Sequence, residues 1–141
     1  AWAPNAEQKA VAKFLYQKEA IDSYLKHFKG EVEERLRRIY KGFIELKQQG
    51  HNVDAVAPEA AIYLTIKLDL VGKKTTDGNI LQTQAEVTSY LLQHASLAVV
   101  PFYAFGADRN SPWYRLSVGT CKKEEIDEML GKLSDALQKL S

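Results

Sequence analysis

Cysteine occurs once, at Cys121. No internal disulfide can form, and the chain suits a reducing compartment. No apolar run approaches the roughly 20 residues of a membrane-spanning helix. Neither sign of charge prevails: 19 Lys and Arg face 18 Asp and Glu, for a net charge of +1. That balance removes the electrostatic case for nucleic acid or an anionic membrane as partner. The three histidines, His27, His51 and His94, are scattered, without a second histidine or cysteine at ligand spacing, so no zinc site is expected. There is no Gly-x-Ser-x-Gly and no P-loop. Val118-Gly119-Thr120-Cys121-Lys122-Lys123 lacks the glycines that cradle phosphate. The opening Ala-Trp-Ala-Pro-Asn-Ala-Glu-Gln has neither a basic nor an apolar region, so it does not read as a signal peptide. A cytoplasmic protein is the expectation.

What is present suits one domain with a hydrophobic core: 141 residues, 45% apolar and 26% charged. Residues 4 to 17 are expected to be helical. Pro4 suits the first turn, Asn5 and Gln8 suit a capping-box variant, and Val11, Phe14 and Leu15 form one apolar side. A long helix follows, from about Ile21 to Gln49. Ile21, Leu25, Phe28, Val32, Leu36, Ile39, Phe43 and Leu46 recur at steps of three and four. Gly30 and Gly42 each weaken it by about 1 kcal/mol against alanine, and Gly50 is a natural stop. The irregular charges beside the stripe favour packing on a sheet over a coiled coil. Ile62, Leu64, Ile66, Leu68 and Leu70 alternate with Tyr63, Thr65, Lys67 and Asp69, the period of a half-buried strand. Gly72 to Asn79 reads as an exposed loop, long enough to vary or move. Thr83-Gln84-Ala85-Glu86 is a capping box opening a helix to about Ala95, with Val87, Tyr90, Leu91 and His94 on its inner side. A short strand from Leu97 to Val100 follows. The last helix is expected to start near Thr120, with Ile126, Met129, Leu130, Leu133, Leu137 and Leu140 as its stripe.

The fold class is therefore α+β: a small antiparallel or mixed sheet of about three strands, covered on one face by helices, with a long N-terminal helix. The open sheet face would need a partner or a cleft. Tyr114, Leu116 and Val118 alternate with Arg115 and Ser117, which points Arg115 to that face. A guanidinium on a rigid strand suits a carboxylate, because its planar fork donates two parallel hydrogen bonds. On pattern alone a solvated or acid-paired arginine is the commoner case. Tyr63 either borders a cleft or shields the sheet. Cys121, beside a helix start, could have a lowered thiol pKa, although a buried bystander is the commoner case. Glu33-Glu34 and Glu124-Glu125 read as surface charge.

Val-Val-Pro-Phe-Tyr-Ala-Phe-Gly (residues 99 to 106) followed by Tyr-Arg-Leu-Ser-Val-Gly-Thr (114 to 120) resembles the C-terminal part of the pyridoxal-phosphate-dependent aminotransferases of the aspartate aminotransferase superfamily (class I/II, fold type I). Pro58, Ala61 and Tyr63 resemble that family's proline, Gly-Ala and aromatic strand. Trp2-Ala-Pro-Asn-Ala-Glu-Gln8 loosely resembles the segment that follows its catalytic lysine region. Two departures stand out: Phe102 and Ala60 each occupy a position where the family usually has glycine. The first bears on the local backbone and on how closely a substrate approaches there.

The resemblance implies that residues 1–141 are a single domain, the small C-terminal domain of a longer aminotransferase. Arg115 would grip the substrate α-carboxylate. The long helix would join this domain to the chain's own large domain, and the parent would be a homodimer acting on an amino acid and a 2-oxo acid. The catalytic lysine loop, with the arginine that follows it, is not found here. Pyridoxal phosphate would be bound by the large domain, and the fragment alone would be inactive. Two alternatives remain: another fold-type-I enzyme (lyase, decarboxylase or synthase), and a stand-alone interaction module using the open sheet face.

Overall fold

The structure of the protein, a computed structural model, describes residues 3–141. Trp2 of the segment quoted above lies outside the described residues. The chain divides into two compact units, one ending at Val32 and the other comprising Glu33–Ser141.

The first unit holds α1 (Asn5–Leu15) and the opening turns of α2 (Lys18–Gln48). Pro4 stands at the N-cap rather than inside the first turn, and no side chain caps the helix. Gln8 donates instead to the Ala3 carbonyl at 3.1 Å, so the expected Asn5/Gln8 capping box does not form. The apolar side of α1 is present but unburied, with Val11, Phe14 and Leu15 all more than half exposed. Tyr24 and Phe28, one helical turn apart on α2, stack with centroids 6.1 Å apart.

The second unit is the α+β body. From Glu33 onward the α2 stripe is buried at Leu36, Ile39, Phe43 and Leu46. The helix ends at Gly50, whose φ of +95° lies where an L side chain is strained. His51 N–H donates to the Leu46 carbonyl and Gly50 N–H to that of Lys47, the paired bonds of a Schellman stop. Four strands follow: β1 (Val53–Ala55), β2 (Tyr63–Leu68), β3 (Val100–Pro101) and β4 (Trp113–Ser117). They form one antiparallel sheet in the order β1-β2-β4-β3. Two helices complete the unit, α3 (Gln84–Ala95) and α4 (Ile126–Gln138).

One side of the sheet is core. Leu64, Ile66 and Leu68 of β2, with Tyr114 and Leu116 of β4 and Val118 just beyond it, are at most 5% exposed. They share that core with Phe43 of α2, Val87 and Leu91 of α3, and Ile126 and Leu133 of α4. Each such side chain contributes about 1.5–3 kcal/mol by leaving water. Tyr90 O–H donates to the Ala136 carbonyl at 2.8 Å, joining α3 to α4. Arg38 joins α2 to the start of α4, with Nη2 on Asp127 Oδ2 at 2.8 Å and Nη1 on the Lys123 carbonyl at 3.1 Å. Lys47 meets Asp54 of β1 at 2.6 Å, which holds that carboxyl below its ordinary range.

Several expectations are corrected. The sheet has a fourth strand, β1, too short to show an alternation. His94 is exposed, its ring tilted at 34° against Tyr90 with centroids 4.5 Å apart, and Ala95 takes its place inside. In the α3 capping box Thr83 accepts from Glu86 N–H as expected, but the Glu86 carboxylate reaches Gln82 N–H at 2.7 Å instead of Thr83 N–H. Thr120 caps nothing. A 3₁₀ turn, Lys123–Glu125, precedes α4, and Glu125 accepts from Lys122 N–H at 3.4 Å. The loop after Gly72 is tied down, since Lys74 and Ser141 exchange both backbone hydrogen bonds.

Candidate functional site

The other side of the sheet carries the remaining strand residues: Tyr63, Thr65 and Lys67 on β2, and Trp113, Arg115 and Ser117 on β4. None of them is buried. Arg115 stands at the centre of this face. Antiparallel register sets it opposite Thr65 of β2 on one flank and Val100 of β3 on the other. Its backbone is held by both neighbours, so the stem of the side chain starts from a fixed point.

The guanidinium lies between two aromatic rings. Its ζ carbon is 4.4 Å from the centroid of Tyr63 and 4.3 Å from that of Phe105. Both are within the range of cation–π attraction. Tyr63 comes from the start of β2. Phe105 comes from a one-turn 3₁₀ helix, Phe102–Phe105, which leaves β3 directly after Pro101. Gly106 ends that turn at φ +89°. Phe102 meets Phe105 edge-on, with centroids 6.4 Å apart. Among the described residues no carboxylate pairs with Arg115, whereas Lys67 on the same face is neutralised by Asp69 at 3.3 Å. The open face therefore presents one uncompensated cation with its donors available.

Behind the arginine, the core is braced at two polar points. Tyr114, fully buried, donates its hydroxyl to Gln84 Oε1, and Gln84 donates to the Asn110 carbonyl at 3.2 Å. Gln84 is itself only 4% exposed. Burial, then the neighbouring Tyr103 and Asp69, push the Tyr114 hydroxyl far above its ordinary range, so it stays a neutral donor. This bond fixes β4 to α3 and the loop before β4, immediately next to Arg115 in sequence.

Several concave regions lie elsewhere. One, of about 470 Å³, is bordered by Ile39, Leu97, Leu116, Cys121, Met129 and Lys132. Another, of about 650 Å³, is bordered by Asp69, Thr83, Gln84, Tyr103 and Arg109. Arg115 lines neither. Cys121 borders the first with its thiol pushed up by burial and by Glu125, the opposite of an activated thiol. Among the described residues no group of three His, Cys, Asp or Glu could hold a metal ion. Among the described residues no helix is long and apolar enough to cross a membrane.

Sequence reasoning had singled out Arg115 and Tyr63, and the structure brings these two together. Phe105 it had read only as part of a Phe-Gly motif. The ring belongs to a turn, where no periodicity announces which way a side chain faces.

A family model described as aminotransferase class I and II matches residues 1–133. A probable aspartate/prephenate aminotransferase of Rickettsia prowazekii is 37% identical over 84 residues, covering 59% of this chain and 20% of that protein. An aspartate aminotransferase of Rhizobium meliloti is 36% identical over 90 residues, covering 63% and 21%. This chain thus spans about a fifth of the length of these relatives. Among solved structures, the Rhizobium meliloti aspartate aminotransferase superposes with a TM-score of 0.71 at 30% identity, over 84% of this chain and 28% of that one. An aromatic aminotransferase of Pyrococcus horikoshii superposes at 0.72 with 23% identity, over 93% and 31%, and supports the fold.

Proposed function

Because the chain belongs to the aminotransferase class I and II family, within the aspartate aminotransferase superfamily of fold type I, we propose that it is the small C-terminal domain of a longer enzyme. That enzyme moves an amino group from an amino acid to a 2-oxo acid, and Arg115 takes the substrate's α-carboxylate. One observation carries the assignment to Arg115: a single uncompensated guanidinium, held between two rings on the open face of the sheet. A bidentate carboxylate there would fix the Cα–H bond in direction, and orientation of this kind supplies a large part of a rate enhancement.

The family implies pyridoxal phosphate, which forms a Schiff base with an amine and withdraws electrons from the bond that breaks. The residues of this chain do not fit it. In the concave region beside Cys121, Lys132 is paired to Glu128 at 2.7 Å, and Glu125 stands nearby; the shallow region at the α1–α2 junction sets Lys18 directly beside Glu19. Those carboxylates oppose a phosphate group. The region beside Tyr103 offers Arg109 and the start of α3 but no lysine. In this reading the chain's own large domain brings the cofactor and its lysine, and this domain brings the carboxylate clamp and closes on the substrate. The whole acts as a cytoplasmic homodimer.

The test uses the full-length protein purified with pyridoxal phosphate. Its visible spectrum is recorded before and after individual L-amino acids, aspartate first. A cofactor band that changes with certain amino acids, with release of the matching 2-oxo acid, is the expected result. A spectrum that changes while a different product forms would move the enzyme to a lyase, decarboxylase or synthase. No bound cofactor at all would leave an interaction module. Arg115→Lys should raise KM for the amino donor by about tenfold or more, since the ammonium lacks the two-pronged fork. Unchanged kinetics would remove Arg115 from the site.

A further inference from the structure

Tyr63 and Phe105 approach Arg115 from opposite flanks. β4 lies between β2 and β3. Tyr63 belongs to β2, and Phe105 to the turn that continues β3. Each ring centroid is within 4.4 Å of the guanidinium carbon, and the only ring contact of Phe105 among the described residues is with Phe102. Their approach from opposite flanks suits one ring over each face of the guanidinium plane. All five N–H donors of arginine lie in that plane and point out through its edge. Rings over both faces would consume none of them.

We propose that Tyr63 and Phe105 are positioning residues. They clamp the Arg115 guanidinium by its faces and leave only its edge for the substrate, so that the site selects a planar carboxylate lying in the same plane. This rests on the reading of Arg115 given above and adds to it a source of anion selectivity. A carboxylate sends both oxygens into the plane and forms two parallel bonds. A tetrahedral phosphonate must turn at least one oxygen out of the plane, toward a ring. The clamp also holds the side chain before the ligand arrives, which lowers the ordering cost of binding.

The experiment uses the full-length enzyme with two probes of minimal side chain. One is 2-aminoisobutyrate, whose methylated Cα carries no proton to lose. The other is its α-aminophosphonate counterpart. Dissociation constants are read by calorimetry for wild type, Tyr63→Leu, Phe105→Leu, Tyr63→Phe and Arg115→Ala. Tyr63 is 42% exposed and Phe105 is 55% exposed, so truncation leaves the core intact, and unchanged melting temperatures verify this. Each leucine variant should weaken 2-aminoisobutyrate binding by about three- to tenfold, as the loss of one cation–π face predicts. Each should weaken the phosphonate less, narrowing the preference for carboxylate. Tyr63→Phe keeps the ring and should bind as wild type does. If the leucine variants match wild type in affinity and preference while Arg115→Ala loses binding, the clamp is wrong and the carboxylate site stands. If Arg115→Ala itself binds normally, the underlying reading falls.

Discussion

Two glycines in α2 should respond in opposite directions to the same substitution. Replacing a helix-interior glycine by alanine gains about 1 kcal/mol of propensity when the site is open. Gly30 is open, with nothing within 4 Å of an added Cβ. Gly42 is not. A Cβ there would overlap both methyl groups of Leu130 on α4 and lie 3.0 Å from its Cγ. Moving one methyl by a rotamer change does not clear the overlap, because the branch point is also too near. Leu130 is half-buried and stands between Ile126 and Leu133, both fully buried, so it can give way only toward solvent. Overpacking of this kind costs about 1–3 kcal/mol. Against the propensity gain, Gly42→Ala should lose about 1 kcal/mol net, while Gly30→Ala should gain about 0.5–1 kcal/mol. Urea denaturation followed by circular dichroism measures both. Pairing Gly42→Ala with Leu130→Ala should recover part of the loss, because the second truncation removes the atoms in the way. If Gly42→Ala stabilises as much as Gly30→Ala does, then α4 is not set against α2 at this point and the packing argument fails.

Two further outcomes follow from the buried tyrosines. Tyr114→Phe leaves Gln84 Oε1 without its donor at a site only 4% exposed, and should cost about 1–3 kcal/mol in the same denaturation assay; a neutral result would mean that the amide finds another partner. Burial raises the hydroxyl pKa of Tyr114 and of Tyr90 above the ordinary value of 10.0, so the unfolded chain gives up these protons at a lower pH than the folded one. Their contribution is complete below pH 10 and drains as pH rises beyond it. Unfolding free energy should therefore fall as pH rises beyond 10, and fall less steeply in Tyr114→Phe.

Much of the fold was legible because long-period patterns carry it. Leu64, Ile66 and Leu68 alternate with polar neighbours, and all three are buried. Gly50 marked the end of α2, where backbone geometry demands it. What escaped was local. β1 has three residues with one fully buried side chain, too few for a period. Thr120 is a good N-cap by type, yet the chain spends the next residues in an extended stretch and a 3₁₀ turn before Ile126 enters the core. Side-chain preference names a candidate cap, and tertiary burial of Ile126 decides where the helix starts.

The site divides in the same way. Arg115 and Tyr63 are 52 positions apart in sequence, and what joins them is strand register: with Thr65 opposite Arg115, Tyr63 is the diagonal neighbour on the same face. A register shifted by one residue would send Arg115 into the core side, at the cost of burying an unpaired cation. The hydrophobic alternation that builds the core therefore also fixes which face the arginine takes. Phe105 obeys no such constraint. Its position depends on Pro101 ending β3 and on Gly106 closing the turn at positive φ, so the second half of the clamp rests on turn geometry. Changing Gly106 to a β-branched residue would strain that turn and should displace the Phe105 ring, with the register of β4 and the Tyr63 contact left in place.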